Sequence, residues 1–492
     1  MKIQSWILAG LLTTLSVVSS AQSVAPGKVR AAVPQEAMVK RAETLSEDQI
    51  KQSHDAASLS RLAQIYNSQG DMQRFIWALR RITELMPDSG DLKLQLAMAY
   101  AKTGDKKNAY DTLVRMQTQG FGYDVSTDTR FEPIHGTKVW DYIVTNLQVN
   151  AKQFGEGKPA FELPKGDNLF DALAWDAKRE RFLLGGAREG KIYLVDLHGK
   201  LADFIATDAA NGLWGIDALA IDAAHGKLYV TSSATAIYKG FNADNAGKAG
   251  IFEFDLTSGK FLHKYAFAAN DGAHRLTSLV VSKDGLVFAA DGARKQVFKI
   301  ESGALKEVVN NPKLTRISAL ALSGDGRTMY LADFALGIFG FDLAKGQAFE
   351  LAHDPTHLVL GGVVGMYWYD GTLAVIENGM VPKRVMRLKL TADGRGVEGT
   401  MPLDAANAAF VDLGSGAVAG DKLYFLASRE DALYDARGVL TDADKLGPVR
   451  VFASNLRFAW GQKGVSNGLA PMAPGTAQDK PAKPAGKTPA QP

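Results

Sequence analysis

The sequence predicts a multidomain α plus all-β protein: a short helical repeat module followed by a six-bladed β-propeller. Three observations predict it. A set of residues returns at a spacing of 34 in the first third of the chain. One strand-turn-strand phrase returns six times between residues 160 and 460. The 492-residue chain, 46% apolar and 22% charged, is globular in composition and too long for one ordinary core.

The first segment reads as an export signal. Lys2 supplies the positive start, Ile7 to Val18 is apolar but too short to span a bilayer, and Ser19-Ser20-Ala21 offers the small residues of a cleavage site before Gln22. The chain has no cysteine, which excludes a lipid-anchored cysteine and suits an oxidising compartment. The expected location is the bacterial periplasm or the exterior. Residues 22 to 50, rich in Ala, Val, Pro, Lys and Gln, read as a linker. Residues 465 to 492, rich in Pro, Ala and Lys, read as a tail with nothing to build a core.

Residues 51 to 150 form the helical unit. Leu62, Ala63, Tyr66 and Gly70 recur as Leu96, Ala97, Tyr100 and Gly104, and Leu79 and Ile82 recur as Leu113 and Met116. Leu62 and Tyr66 are four apart and share one helix face. Gly70-Asp71 and Gly104-Asp105 end one helix and cap the next. These residues and the 34-residue spacing resemble the tetratricopeptide repeat. Pro87 closes the first unit and Phe121 stands at the equivalent place in the second. Two repeats need a cap, and Trp140, Ile143 and Val144 have the spacing to supply it. The resemblance implies either a plain helical scaffold or a peptide-binding groove.

The propeller is read from six inner-strand phrases. They begin Asp171-Ala172-Leu173, Asp217-Ala218-Leu219, Thr277-Ser278-Leu279, Ser318-Ala319-Leu320, Val364-Gly365-Met366 and Ser415-Gly416-Ala417. Each is followed by a turn and a second apolar strand, such as Lys227-Leu228-Tyr229-Val230 or Thr328-Met329-Tyr330-Leu331. A third strand often ends in Asp-Leu, as at Asp196-Leu197, Asp255-Leu256 and Asp342-Leu343. Such a period made of strands means propeller blades. Small residues in the first strand suit the crowded axis. Lys239 to Ala249 reads as a long loop in the second blade.

The phrase from Ala319 to Asp333, with Ser323-Gly324-Asp325-Gly326 at its turn, resembles the blade signature of the regucalcin, gluconolactonase and strictosidine-synthase superfamily. The resemblance covers about 60% of the chain. It implies a divalent cation (calcium or zinc) at the top of the channel, held by a Glu, an Asp and Asn residues just before the inner strands. It also implies lactone or ester hydrolysis with an acidic base. At the matching positions this chain has Asp171, Thr277, Ser318 and Val364, so one of four keeps a carboxylate. Asp217 adds a second. Asp171 and Asp217 are therefore the carboxylates a weakly held ion would use. Each could equally staple its loop by accepting backbone N–H groups.

Arg275 and Arg316 stand two residues before the third and fourth inner strands and read as an anion clamp at the channel mouth. Trp214 reads as a pocket wall. His274 beside Arg275 is a candidate base, and Glu377-Asn378 reads as a turn. The 56 Lys and Arg nearly cancel the 53 Asp and Glu, so nothing points to nucleic acid or an anionic membrane. No nucleophile-elbow, zinc-protease, phosphate-loop or paired-cysteine motif is present. The sequence favours an envelope binding or scaffold protein, with partners at the helical repeats or the propeller face and a small anionic ligand in the channel. The alternative is a metal-dependent lactonase.

Overall fold

A computed structural model describes residues 44–156, 158–267 and 271–457. The signal segment, most of the linker and the tail lie outside the described residues. The described chain starts with α1 (Glu47–Lys51), then α2 (Ala56–Gln69), α3 (Met72–Leu85), α4 (Gly90–Lys102) and α5 (Lys106–Thr118). A 3-10 turn over Thr129–Ile134 leads to α6 (Lys138–Asn150).

The helix boundaries follow the expected capping chemistry. Gly70 ends α2 in the left-handed conformation at φ 74°, and Asp71 caps α3 by accepting the Arg74 N–H. Asp105 caps α5 in the same way through Asn108. Trp140, Ile143 and Leu147 of α6 are buried, so this helix covers the open end of the pair. Helix α1 lies just ahead of the boundary expected near residue 50. It is held by a capping box of Ser46 and Gln49, and Ile50 sits in the helical core.

Six four-stranded antiparallel sheets follow. Their inner strands are Phe170–Asp176, Gly215–Asp222, Leu276–Val281, Ile317–Leu322, Val363–Tyr369 and Gly416–Ala419. The sixth blade closes the ring: its outermost strand is Pro159–Leu163, from the start of the propeller, paired with Val449–Asn455 from its end. Phe161 and Leu163 are buried between the sixth and first blades.

The helical unit is seated on the propeller. Val359 and Met380, from loops of the fourth and fifth blades, belong to the same apolar cluster as Phe75, Leu79 and Ile82. Asp88 accepts the backbone N–H of Leu360 at 3.1 Å, Gln119 donates to the carbonyl of Pro355 at 2.7 Å, and Gly122 donates to that of Val381 at 2.7 Å. Burial pushes the Asp88 carboxyl up, against the pull of Lys93. A Cβ built on Gly361 would lie 2.5 Å from the Cβ of Asp88, so the loop approaches the helices closely only because residue 361 has no side chain.

Two substitutions test this seat. Asp88→Ala leaves a buried N–H without its acceptor, a cost of about 1–3 kcal/mol, and Gly361→Ala forces the surfaces apart at a similar cost. Both are expected to make the helical far-UV signal melt before the β signal, whereas the wild type loses the two together. Coincident transitions in both variants would show that the helices do not rely on this contact.

Candidate functional site

The inner strands carry the site through a shared irregularity. In each of the first five blades the ladder between inner and second strand slips by one residue near its start, after the first pair or, in the second blade, after the second. The residues left out of register are Asp171, Asp217, Thr277, Ser318 and Val364. A β-bulge frees a side chain from the ladder and re-aims it. Here five bulges present five side chains at one end of the channel. A single cavity of about 1780 Å³ takes in that mouth, the channel walls below it and the underside of α2, α3 and the start of α4.

Polar residues at the mouth divide into three groups. The hydroxyls join blades. Thr277 Oγ1 donates to the Ile317 carbonyl at 3.1 Å, Ser318 Oγ to that of Val363 at 2.6 Å, and Ser415 Oγ to that of Asp171 at 2.6 Å. Each bond runs from one blade to the next, so these hydroxyls have their proton engaged in holding the ring.

The second group is an ion cluster around Arg429. Its guanidinium bonds the Asp171 carboxylate and reaches Asp431 at 3.0 Å and Asp412 at 3.3 Å. Burial opposes the charge, but the carboxylates of Asp431, Asp171 and Asp412 outweigh it and hold Arg429 firmly protonated. Asp171 comes from the first blade, Asp412 from just before the sixth inner strand, and Asp431 from a long segment between Lys422–Leu426 and Val449–Asn455. The cluster thus spans the seam where the ring closes.

The third group has spare hydrogen-bonding capacity. Asp217 is 8% exposed and meets Arg275 at 3.7 Å, while its Oδ2 is buried with no partner among the described residues. Burial pushes this carboxyl up to about 7, against Arg275 and the Ser233 hydroxyl, with the charge of Asp171 adding to the rise. Arg429 Nε is a second buried atom without a partner among the described residues. Arg316 is half-buried, lies over the Phe334 ring at 4.4 Å, and makes no ion pair among the described residues. Burial lowers its pKa, and the nearby charges of Arg275 and Arg429 lower it further.

Several expectations are corrected. Trp214 does not line the cavity. It packs edge-on against Phe252 and under Lys264, whose Nζ is 4.0 Å from its ring. His274 is buried, bonded to Asp291 at 2.8 Å and stacked on Phe267 at 3.6 Å, so it is a packing residue. Glu377 is no turn: it ends the strand Thr372–Glu377, fully buried in an ion pair with Arg384. Asn378 bonds Asp412 at 2.7 Å and lines the cavity.

The residues do not fit the implied divalent cation. A hard ion needs several free oxygen donors. The Asp171 carboxylate is held by Arg429, Asp217 is buried beside Arg275, and Thr277 and Ser318 direct their protons to carbonyls. Val364 offers no oxygen from its side chain. Among the described residues no group of three metal-ligating side chains is assembled.

No family model matches the chain, and no curated protein does. Solved structures of the same general shape include a PQQ-bound aldose sugar dehydrogenase from Streptomyces coelicolor, at 14% identity and TM-score 0.41, covering 62% of this chain and 98% of that one. A luciferin-regenerating enzyme is similar at 15% identity and TM-score 0.41, over 61% and 94%. A virginiamycin B lyase from Staphylococcus aureus is similar at 15% identity and TM-score 0.37, over 54% and 79%. Likeness at this level carries no ligand or activity across.

Two measurements test the charge arrangement. Arg429→Met strands three carboxylates and is expected to cost about 3–5 kcal/mol in a denaturant titration; a loss below about 1 kcal/mol would mean the cluster is solvated. The Asp217 carboxyl is raised above its unfolded value, so its contribution is fullest at low pH and is lost as pH rises through about 7. Asp217→Asn is therefore expected to gain on the wild type between pH 5 and 8, by on the order of 2 kcal/mol at pH 8. Parallel stability curves would remove Asp217 as a buried titrating group.

Proposed function

We propose that the protein is a binding protein of the cell envelope that holds a small anionic ligand in the chamber between its helices and its propeller. The observation that carries this reading is Arg316. It is a cation at the channel mouth with an aromatic ring beneath it and, among the described residues, no carboxylate paired to it. Arg275 is near enough to depress it electrostatically and is tied only loosely, at 3.7 Å. Two guanidiniums with unspent donors, on the wall of a covered cavity, suit a carboxylate or phosphate.

The helical unit, which resembles tetratricopeptide repeats, is part of the chamber in this reading. Ala63, Phe75 and Leu79 face the same cavity as Arg316. The propeller face over the fourth and fifth blades is taken up by the helices, which leaves the outer surface of the helical unit as the place for a protein partner. The N-terminal segment read as an export signal supports an envelope location for the chamber. A lactonase-type reaction is not part of this reading because the donor set does not fit its metal.

A thermal-shift series checks the proposal. Benzoate, gluconate and phosphate are compared with benzyl alcohol and sorbitol on the full chain, with calcium chloride as a separate arm. At least one anion is expected to raise the melting temperature as a ligand binding the native state does, the neutral compounds to do nothing, and Arg316→Ala to abolish the shift. A shift with calcium and none with any anion would overturn the reading and restore the metal-dependent one.

A further inference from the structure

The foot of the channel, at the end of the inner strands away from the bulges, differs from the mouth. The last cavity-lining residues of the six strands are Trp175, Ile221, Val281, Leu322, Trp368 and Val418. All six are apolar and all six are partly exposed. Leu286, on the turn after the third inner strand, is 49% exposed. The Asp370 carboxylate is exposed on the turn after the fifth and makes no ion pair among the described residues.

The chain itself leads to this foot. The Leu456 N–H donates to the Asp421 carbonyl at 2.8 Å, on the turn after the sixth inner strand. Arg387 donates to the Leu456 carbonyl and lies over the Tyr369 ring at 5.2 Å, and Tyr369 directly follows Trp368. The described chain therefore ends at Arg457 beside the foot, between the fifth and sixth blades. The residues that follow carry Pro471, Pro474, Pro481 and Pro484, with Lys480 and Lys483. A spacing of three puts such prolines on one edge of a polyproline II helix and such lysines on another. A ridge of prolines is recognised by aromatic-lined surfaces. The stretch from Arg457 to Pro471 can span up to about 46 Å, so its length does not limit its reach. We propose that residues 471–484 of this chain dock at the foot of the channel, their prolines on the rim of Trp368, Leu322 and Val281 and their lysines toward Asp370. The tether favours the chain's own segment over that of a second copy, because it fixes a high effective concentration at the foot. A segment held there closes the channel opposite the helices and leaves the helical end as the way into the chamber. This does not depend on what the chamber binds.

The test gives the full chain its only cysteine, Ala485→Cys, and labels it with a benzophenone maleimide. Irradiation at micromolar concentration, followed by peptide mapping, is expected to put most cross-links within one chain, on residues 281–287, 322–327 and 366–371. Two paired substitutions alter the segment and leave the propeller sequence intact: Pro481→Ala with Pro484→Ala, and Lys480→Glu with Lys483→Glu. Each pair is expected to lower that yield about fivefold. Trp368→Ala is expected to lower it as well, with circular dichroism unchanged. Cross-links on the helical unit, cross-links scattered over the outer strands, or none at all would overturn the proposal, as would a yield that neither tail pair moves. Cross-links joining two chains would also overturn it and assign the foot to a second copy.

Discussion

Arg429 stands among three carboxylates drawn from separate parts of the ring: Asp171 from the first blade, Asp412 from the approach to the sixth and Asp431 from the long segment within the sixth. A buried guanidinium is costly to desolvate, and only a full set of partners makes it tolerable. Its position at the seam couples closure of the ring to the shape of the channel mouth. The strand pairing of Pro159–Leu163 with Val449–Asn455 closes the same seam from outside. The outer closure is hydrogen-bonded and apolar; the inner one is ionic. Because Asp171 is committed to Arg429, its carboxylate is not free for a cation, and the unspent donors and acceptors at the mouth belong to Arg275, Arg316 and Asp217.

The same economy governs the hydroxyls. At a bulge, a side chain leaves the ladder and needs another partner. Thr277 and Ser318 find one in the next blade's carbonyl, and Ser415 finds the Asp171 carbonyl. These bonds rigidify the rim. The helices then add what the rim lacks, an apolar cover over the fourth and fifth blades. The rigid rim and the helical cover together line a chamber that neither module has alone.

Much of the fold was legible because it is periodic. The caps Asp71 and Asp105 stand where the helix pattern breaks, and the six inner-strand phrases stand where six inner strands form. The positions singled out at the mouth, Asp171, Asp217, Thr277, Ser318 and Val364, prove to be the bulged residues, since a repeat phrase marks its own irregularity. What escaped was whatever the repeat does not carry. Arg429 and Asp431 lie in a segment without counterpart in the other blades, so no alignment of phrases could point to them. Asp88 lies in a helix-to-helix turn whose partner, Leu360, is 272 residues away. Glu377 looked like a turn because its partner Arg384 stands on the following strand. Trp214 was read by proximity to an inner strand, but packing with Phe252 turns it outward. Pairings set by tertiary approach leave no local signature.

The chamber exists only if the helices close over the channel mouth. Two amides bond across that contact, Gly122 to the carbonyl of Val381 and Leu360 to the carboxylate of Asp88. Native-state hydrogen exchange on the full chain is expected to find both protected as strongly as the ladder amides of the inner strands. Exchange of both at the rate of open-loop amides would contradict the docked arrangement.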